Sequence, residues 1–170
     1  TTRAGDTVYG YNASSGVNVV YNFAANVIPV LTIYDAGGID TLDLSGDFVT
    51  TTRIVTYDYN DDPIMTDATR TTTVIDIRPG QYSSTNGMTN NIGIAFGTLI
   101  ENVIGTKFDD KIFGNEINNN IYGGLGNDTY DLGASRVDQV TDIGGSADTI
   151  VSTVTRNLAD FADIENLTLT

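Results

Sequence analysis

Apolar residues in this chain do not recur at helical spacing over any long window. They fall instead into short β-rich runs punctuated by Gly, Asn and Asp. Residues 5–11, GDTVYGY, read as a turn and a short strand. Val17 to Phe23 and Val27 to Tyr34 read as two strands around Ala24-Ala25-Asn26. Asp40 to Leu44 alternates as D-T-L-D-L, a half-buried strand. Thr50 to Tyr59 is a long β-rich run and Thr71 to Arg78 reads as its return strand. The spacing therefore predicts a hairpin over 50–78, turning at Asn60-Asp61-Asp62-Pro63. A polar loop follows over 79–90, and then two strands, Ile92 to Phe96 and Leu99 to Ile104.

From Gly105 to Asp131 the pattern repeats every nine residues: GTKFDDKIF, GNEINNNIY, GGLGNDTYD. Glycine opens each segment (Gly105, Gly114, Gly123). The sixth position carries Asp110, Asn119 and Asp128, and the eighth Ile112, Ile121 and Tyr130. Each segment thus supplies a turn and a short strand with one apolar residue pointing inward. The chain then turns at the opposite edge, so loops on one edge recur every second segment. The loop at 105–110 is expected to stack on that at 123–128, with 114–119 on the other edge. The whole reads as one all-β domain: a β-sandwich over 1–104 with a hairpin inserted near 50–78, merging into a short parallel β-roll over 105–131. Residues 132–170 read as a degenerate repeat and the start of a further unit, because Leu132 to Val137 keeps a glycine but has no acid at position six.

The third segment, Gly123 to Asp131, fits G-G-x-G-x-D-x-U-x, the nonapeptide of calcium-binding parallel β-helices. The chemistry explains the pattern. Calcium takes several hard oxygens from carboxylates and backbone carbonyls. Glycines reach positive φ and turn their carbonyls inward. Asp110 and Asp128 are expected to face one ion. Gly124 and Gly126 in the same segment, and Asn119 on the other edge, are further candidate ligands. Asp58 to Asp62 has the look of an EF-hand loop but fails it: Pro63 stands where the sharp-turn glycine belongs and Thr69 where the bidentate glutamate belongs.

Charge and composition narrow the function. The net charge is −14, with 22 acidic residues against 8 basic, which argues against nucleic acid and anionic membrane as partners and for cations. There is no cysteine, so metal ions rather than disulfides are the available staples. There is no histidine, which removes the serine–histidine triad and the H-E-x-x-H zinc motif; no zinc site is expected within this chain. No apolar run reaches the length of a membrane helix. Thr1-Thr2-Arg3 has no apolar segment behind it, so the start reads as a domain boundary and not a signal peptide.

The nine-residue repeats resemble the RTX β-roll of proteins exported by type I secretion. That resemblance implies an ion held by Thr106, Phe108 and Asp110 with Gly123, Leu125 and Asp128. Arg3-Ala4-Gly5-Asp6-Thr7-Val8-Tyr9-Gly10, then Asp35-Ala36-Gly37-Gly38-Ile39-Asp40-Thr41, then Leu99-Ile100-Glu101-Asn102-Val103-Ile104-Gly105 resemble, in order, the motifs of the C-terminal domain of serralysin-type secreted metalloproteases. The resemblance implies one ion at Arg3, Gly5 and Thr7 with Asp35, Gly37 and Asp40. It implies a second at Gly38, Asp40, Leu99 and Glu101, with Leu99 standing where threonine is usual. It further implies a non-catalytic, bacterial, extracellular domain that folds on calcium and supports an N-terminal zinc protease domain and its passage through the type I machinery. An RTX module of an adhesin or polysaccharide-modifying protein is the alternative. Asp163-Ile164-Glu165-Asn166-Leu167-Thr168-Leu169-Thr170 echoes Thr98 to Thr106, which in long RTX proteins leads into a fresh array.

Overall fold

A computed structural model describes residues 3–47, 51–57, 63–69, 72–135 and 137–170. The chain begins with β1 (Val8–Gly10), β2 (Leu31–Ile33) and β3 (Thr41–Asp43). There follow β4 (Thr51–Tyr57), β5 (Pro63–Thr69), β6 (Thr72–Asp76), β7 (Tyr82–Ser83) and β8 (Ile92–Ile94). The remainder is β9 (Asn102–Ile104), β10 (Asp109–Phe113), β11 (Asn120–Tyr122), β12 (Thr129–Asp131), β13 (Gln139–Thr141), β14 (Thr149–Ser152) and β15 (Asn166–Leu169). The described residues contain no α-helix, only two short 3-10 turns, Val19–Tyr21 and Leu158–Asp160. The all-β expectation holds.

Two parallel five-stranded sheets carry the architecture, in the orders β1-β3-β9-β11-β13 and β15-β14-β12-β10-β6. From β9 to β14 the chain alternates between them, one strand each, which is the roll that the nine-residue pattern predicts. Each strand contributes one inward apolar residue, and these stack in register. In the first sheet the column is Tyr9, Leu42, Val103, Ile121 and Val140. In the second it is Ile75, Ile112, Tyr130, Ile150 and Leu167. With Phe23, Ile33, Leu44, Ile77, Ile92, Ile94, Ile100, Leu132 and Ile164 the two columns make one core, buried except at its far end, where Val140 and Leu167 are partly exposed. Each fully buried aliphatic side chain stabilises the fold by about 1.5–3 kcal/mol relative to exposure. With so few apolar residues per turn, the roll cannot spare any.

A small sheet, β2-β8-β7, packs beside the roll, with β2 parallel and β7 antiparallel to β8. Three local expectations change. The hairpin closes β4 on β5, not on 71–78; its turn residues 58–62, the EF-hand-like run included, lie outside the described residues. β6 pairs parallel with β10 instead, because its alternation buries Thr73 and Ile75 in the roll. The strand expected at Val17 to Phe23 is a 3-10 turn capped by the Asn18 side chain, which accepts from Val20 N–H. The strand expected over Val27 to Tyr34 shortens to β2. Val27, Ile28 and Val30 are exposed, so hydrophobic character there does not mark an inward face.

Candidate metal centres

A chain that alternates between two sheets turns alternately at two edges. The residue just ahead of each roll strand, or second in the longer β6 and β10, therefore falls into one of two columns. Along the first sheet the column is Thr7, Asp40, Glu101, Asn119 and Asp138; along the second it is Thr73, Asp110, Asp128, Asp148 and Glu165. The columns are hydrogen-bonded ladders, in which an acid accepts the backbone N–H of the step before. Thr7 N–H donates to Asp40 Oδ1 at 2.9 Å and Asp40 N–H to Glu101 Oε2 at 2.7 Å. Asp110 N–H donates to Asp128 Oδ1 at 2.8 Å, Asp128 N–H to Asp148 Oδ1 at 2.7 Å and Asp148 N–H to Glu165 Oε2 at 2.8 Å. One amide does not compensate a buried carboxylate. Asp40 Oδ2 and Asp138 Oδ2 are buried with no hydrogen-bond partner at all.

The N-terminal motifs meet around Asp40. Asp35 and Asp40 are both buried. The Tyr9 hydroxyl donates to Asp35 Oδ2, and Gly37 N–H donates to Asp35 Oδ1 at 3.1 Å. Thr7 Oγ1 donates to the Gly5 carbonyl at 2.9 Å, and Ala36 N–H to the Arg3 carbonyl at 2.8 Å. Gly38, at φ +134°, lies so close to Gly5 that a Cβ would fall 2.7 Å from the Gly5 carbonyl carbon. The structure thus gathers Arg3, Gly5, Thr7, Asp35, Gly37, Gly38, Asp40 and Glu101. Leu99 is half-buried two residues before Glu101, and it is Thr98 whose hydroxyl reaches Asp35, accepting from its N–H at 3.1 Å. Burial, then the charges of Asp35, Glu101 and Asp6, push the Asp40 carboxyl up to about 6, and burial with a hydrogen bond to Asp35 pushes the Tyr9 hydroxyl up to about 12.

In the roll, the loop at 105–110 lies directly on that at 123–128. Thr106 donates to Asp110 twice, from N–H at 2.6 Å and from Oγ1 at 2.9 Å. Leu125 N–H reaches the Thr106 carbonyl at 3.3 Å. Gly124 and Gly126 both have positive φ, and a Cβ on either would strike the backbone of Thr106 or Phe108. That close approach, as well as the turn, is what requires glycine there. Asp110 and Asp128 are buried, and burial pushes both carboxyls up to about 7. Asn119 differs. Its Oδ1 accepts from Asn115 N–H at 2.9 Å, and its amide donates to the Ile100 carbonyl at 3.0 Å and to Asn115 Oδ1 at 3.1 Å. Its candidate ligand oxygen is already engaged within the chain.

Residues 1–168 match the peptidase M10 serralysin C-terminal family. The chain is similar to serralysin of Proteus mirabilis, at 34% identity over 71% of the chain and 20% of the relative. It is similar to serralysin G of Dickeya chrysanthemi, at 34% over 71% of the chain and 21% of the relative, and to metallopeptidase AprA of Pseudomonas marginalis, at 34% over 69% and 20%. The chain belongs to the serralysin C-terminal family. It spans about a fifth of the length of these curated relatives, in their non-catalytic C-terminal region.

The serralysin C-terminal domain also contains two acids, Asp142 and Asp148, that sequence reasoning passed over. They join the expected Asp128: all three are buried, with one carboxylate oxygen of each lying within 4.8 Å of the others. The Tyr130 hydroxyl donates to Asp142 Oδ2 and, at 3.3 Å, to Asp128 Oδ2; burial raises its pKa. Burial also raises the Asp148 carboxyl, with the charges of Asp142 and Glu165 adding. Asp138 takes the ladder place opposite Asn119, whose N–H it accepts at 3.0 Å; a turn one residue longer had hidden it behind Val137. The donors at these centres are oxygens alone, since the chain has no His or Cys. Such a set suits a hard divalent cation and could hold one. The buried, unpartnered Asp40 and Asp138 oxygens fit the same requirement.

Proposed function

We infer that this chain is the non-catalytic, calcium-binding C-terminal domain of a secreted bacterial serralysin-like metalloprotease. It folds when it meets calcium outside the cell and supports the export, through type I machinery, and the stability of the enzyme attached to it. The observation that carries the reading is Asp40: a buried carboxylate among other acids, with one oxygen left without a partner. A carboxylate in that position destabilises the fold unless a cation joins it. Arg3, Gly5 and Thr7 with Asp35, Gly37 and Asp40 would hold one ion, and Gly38, Asp40, Leu99 and Glu101 a second. Thr106, Phe108 and Asp110 with Gly123, Leu125 and Asp128 would hold another in the roll.

Extracellular calcium modules bind at about 10⁻⁴–10⁻³ M, far above cytosolic calcium, so the domain stays open before export. Because the centres form only in the folded chain, binding energy becomes folding energy. The N-terminal partner is a catalytic domain, supported by relatives of which the matched region is about a fifth, one of them named a metallopeptidase. No helix among the described residues is long and apolar enough to cross a membrane. The test is circular dichroism in chelator, followed by calcium titration. A gain of β signal is expected; a full spectrum in chelator, unchanged by calcium, overturns the reading.

A further inference from the structure

Away from the ladders, the loop between β7 and β8 holds the one Asn-Gly pair in the sequence, Asn86-Gly87. The pair forms the centre of a tight turn, closed by Met88 N–H donating to the Thr85 carbonyl at 3.0 Å. Both central residues have positive φ, +53° at Asn86 and +73° at Gly87. These are the signs of a type I′ turn, which favours Asn-Gly because few other residues reach them. The pair brings a chemical liability. Glycine has no side chain to shield its own nitrogen, so that nitrogen can reach the amide carbon of the asparagine before it. Here Asn86 is buried and held at every polar atom of its side chain. Its Oδ1 accepts from the Tyr11 hydroxyl at 2.6 Å and from Thr85 Oγ1 at 3.1 Å, and its Nδ2 donates to the Val27 carbonyl at 3.1 Å. Its backbone N–H donates to Oδ1 of the buried Asp47 at 2.8 Å. Tyr11, Val27 and Asp47 come from three separate segments, so the clamp exists only once those segments have assembled.

We propose that Asn86 is a deamidation site that folding closes, so that its conversion records the time the chain has spent open. In the open chain the Gly87 nitrogen attacks Asn86 Cγ. A ring C–N bond forms, the amide C–NH₂ bond breaks, and ammonia leaves with the proton that Gly87 N–H gives up. Water then opens the cyclic imide to aspartate or isoaspartate. In the folded chain, turning Cγ toward Gly87 breaks three side-chain hydrogen bonds among buried groups, so the first step is blocked. The product does not fit the clamp. Either acid sets an oxygen against the Val27 carbonyl, where the amide had a donor, and adds a negative charge beside buried Asp47. Isoaspartate also lengthens the turn by one methylene. A chain that lingers open is therefore marked at Asn86, and the marked chain folds less readily. The site needs only that the chain be open; that calcium closes it rests on the calcium reading above.

The test incubates the whole chain in warm, neutral buffer with calcium, with chelator, or with guanidinium chloride, and follows acid at each asparagine by peptide-mapping mass spectrometry. In guanidinium, Asn86 is expected to convert before any other asparagine, and about tenfold or more faster than in calcium, where reaction needs a local opening. The chelator rate is expected to follow the guanidinium rate. Equal rates in calcium and guanidinium overturn the proposal, as does another asparagine converting first in guanidinium. Fast conversion in guanidinium with slow conversion in both calcium and chelator overturns the calcium reading and leaves the site standing. Gly87→Ala, read in guanidinium where folding plays no part, is expected to slow Asn86 conversion several-fold; an unchanged rate overturns the assigned attack. Asn86→Asp reproduces one product. Its calcium midpoint for folding is expected to rise several-fold, and a midpoint equal to wild type would show that the mark has no effect on folding and overturn that part of the proposal.

Discussion

Asn119 and Asp128 hold the sixth position of adjacent nine-residue segments, and each stands just ahead of a roll strand. Their surroundings are completed in opposite ways. At the asparagine step, Asn115 and Asn119 both donate to the Ile100 carbonyl, at 2.8 and 3.0 Å, and bind each other, so the chain supplies the partners of both amide side chains. At the aspartate step, Asp128, Asp142 and Asp148 face one another as acceptors, and the donors that reach them are the Tyr130 hydroxyl and backbone amides. An amide carries donors as well as an acceptor, whereas an ionised carboxylate only accepts. One scaffold position thus makes either a self-sufficient turn or a turn that needs an outside cation.

Removing calcium should separate the two most strongly. In chelator the carboxylate steps are expected to open, with loss of most of the β signal in circular dichroism. Magnesium should not restore it, because it demands a smaller, near-octahedral shell. Retention of the signal in chelator would show the aspartate steps to be as self-sufficient as the asparagine one.

Converting one step into the other gives the next largest effect. Asn119→Asp removes the donor to Ile100 O and adds a buried charge beside Asp138. A loss of about 1–3 kcal/mol is expected in urea unfolding at saturating calcium. In the reverse sense, Asp128→Asn should raise the calcium midpoint for folding about tenfold, equivalent to ~1.4 kcal/mol, followed by tyrosine fluorescence. Equal midpoints for variant and wild type would remove Asp128 from calcium control. Asn115→Ala should cost about 1 kcal/mol and cost it equally at all calcium levels, since its partners are the chain's own.

The smallest effect is of pH, and its sign follows from the acids. Burial holds Asp110 and Asp128 up at about 7 and Asp40 at about 6, from an ordinary value of 3.8. Between those limits the folded, calcium-free chain keeps protons that the unfolded chain has released, so its stability falls as pH rises from about 4 to about 7. Acidifying the chelated protein from pH 7.5 to 5 should therefore recover part of the β signal. With calcium present the trend reverses, because protons compete for the same oxygens, and the midpoint should rise on acidification. A chelated protein indifferent to pH would show that these acids are not strained.

The roll was readable because an apolar residue at the same place in every nine has no helical explanation, and the stacking of Asp110 on Asp128 follows from that spacing alone. The rest of the ladders was hidden by unequal connections. Thr7 and Asp40 are 33 residues apart, Asp40 and Glu101 61, yet Asp110 and Asp128 only 18. Periodicity detects the last and is blind to the others. Asp142 was visible only by comparing its turn with Asp35 across one inserted residue. The β6 error has a different source: alternation reports which side chains are inward, and is the same whether a strand pairs with its hairpin partner or with a parallel neighbour.

The ladders have a direction. Along the two columns the backbone amide is held by an acid from a later part of the chain: Thr7 by Asp40, Asp40 by Glu101, Asp128 by Asp148 and Asp148 by Glu165. A coil of the roll is thus clasped by its successor, like overlapping roof tiles. Such an array behaves as a one-dimensional stack whose ends fray first. Amide hydrogen exchange should accordingly run as a gradient, slow at Thr7 and Asp110, whose clasps are themselves clasped, and fastest at Asp138 and Glu165, where each overlap ends among the described residues.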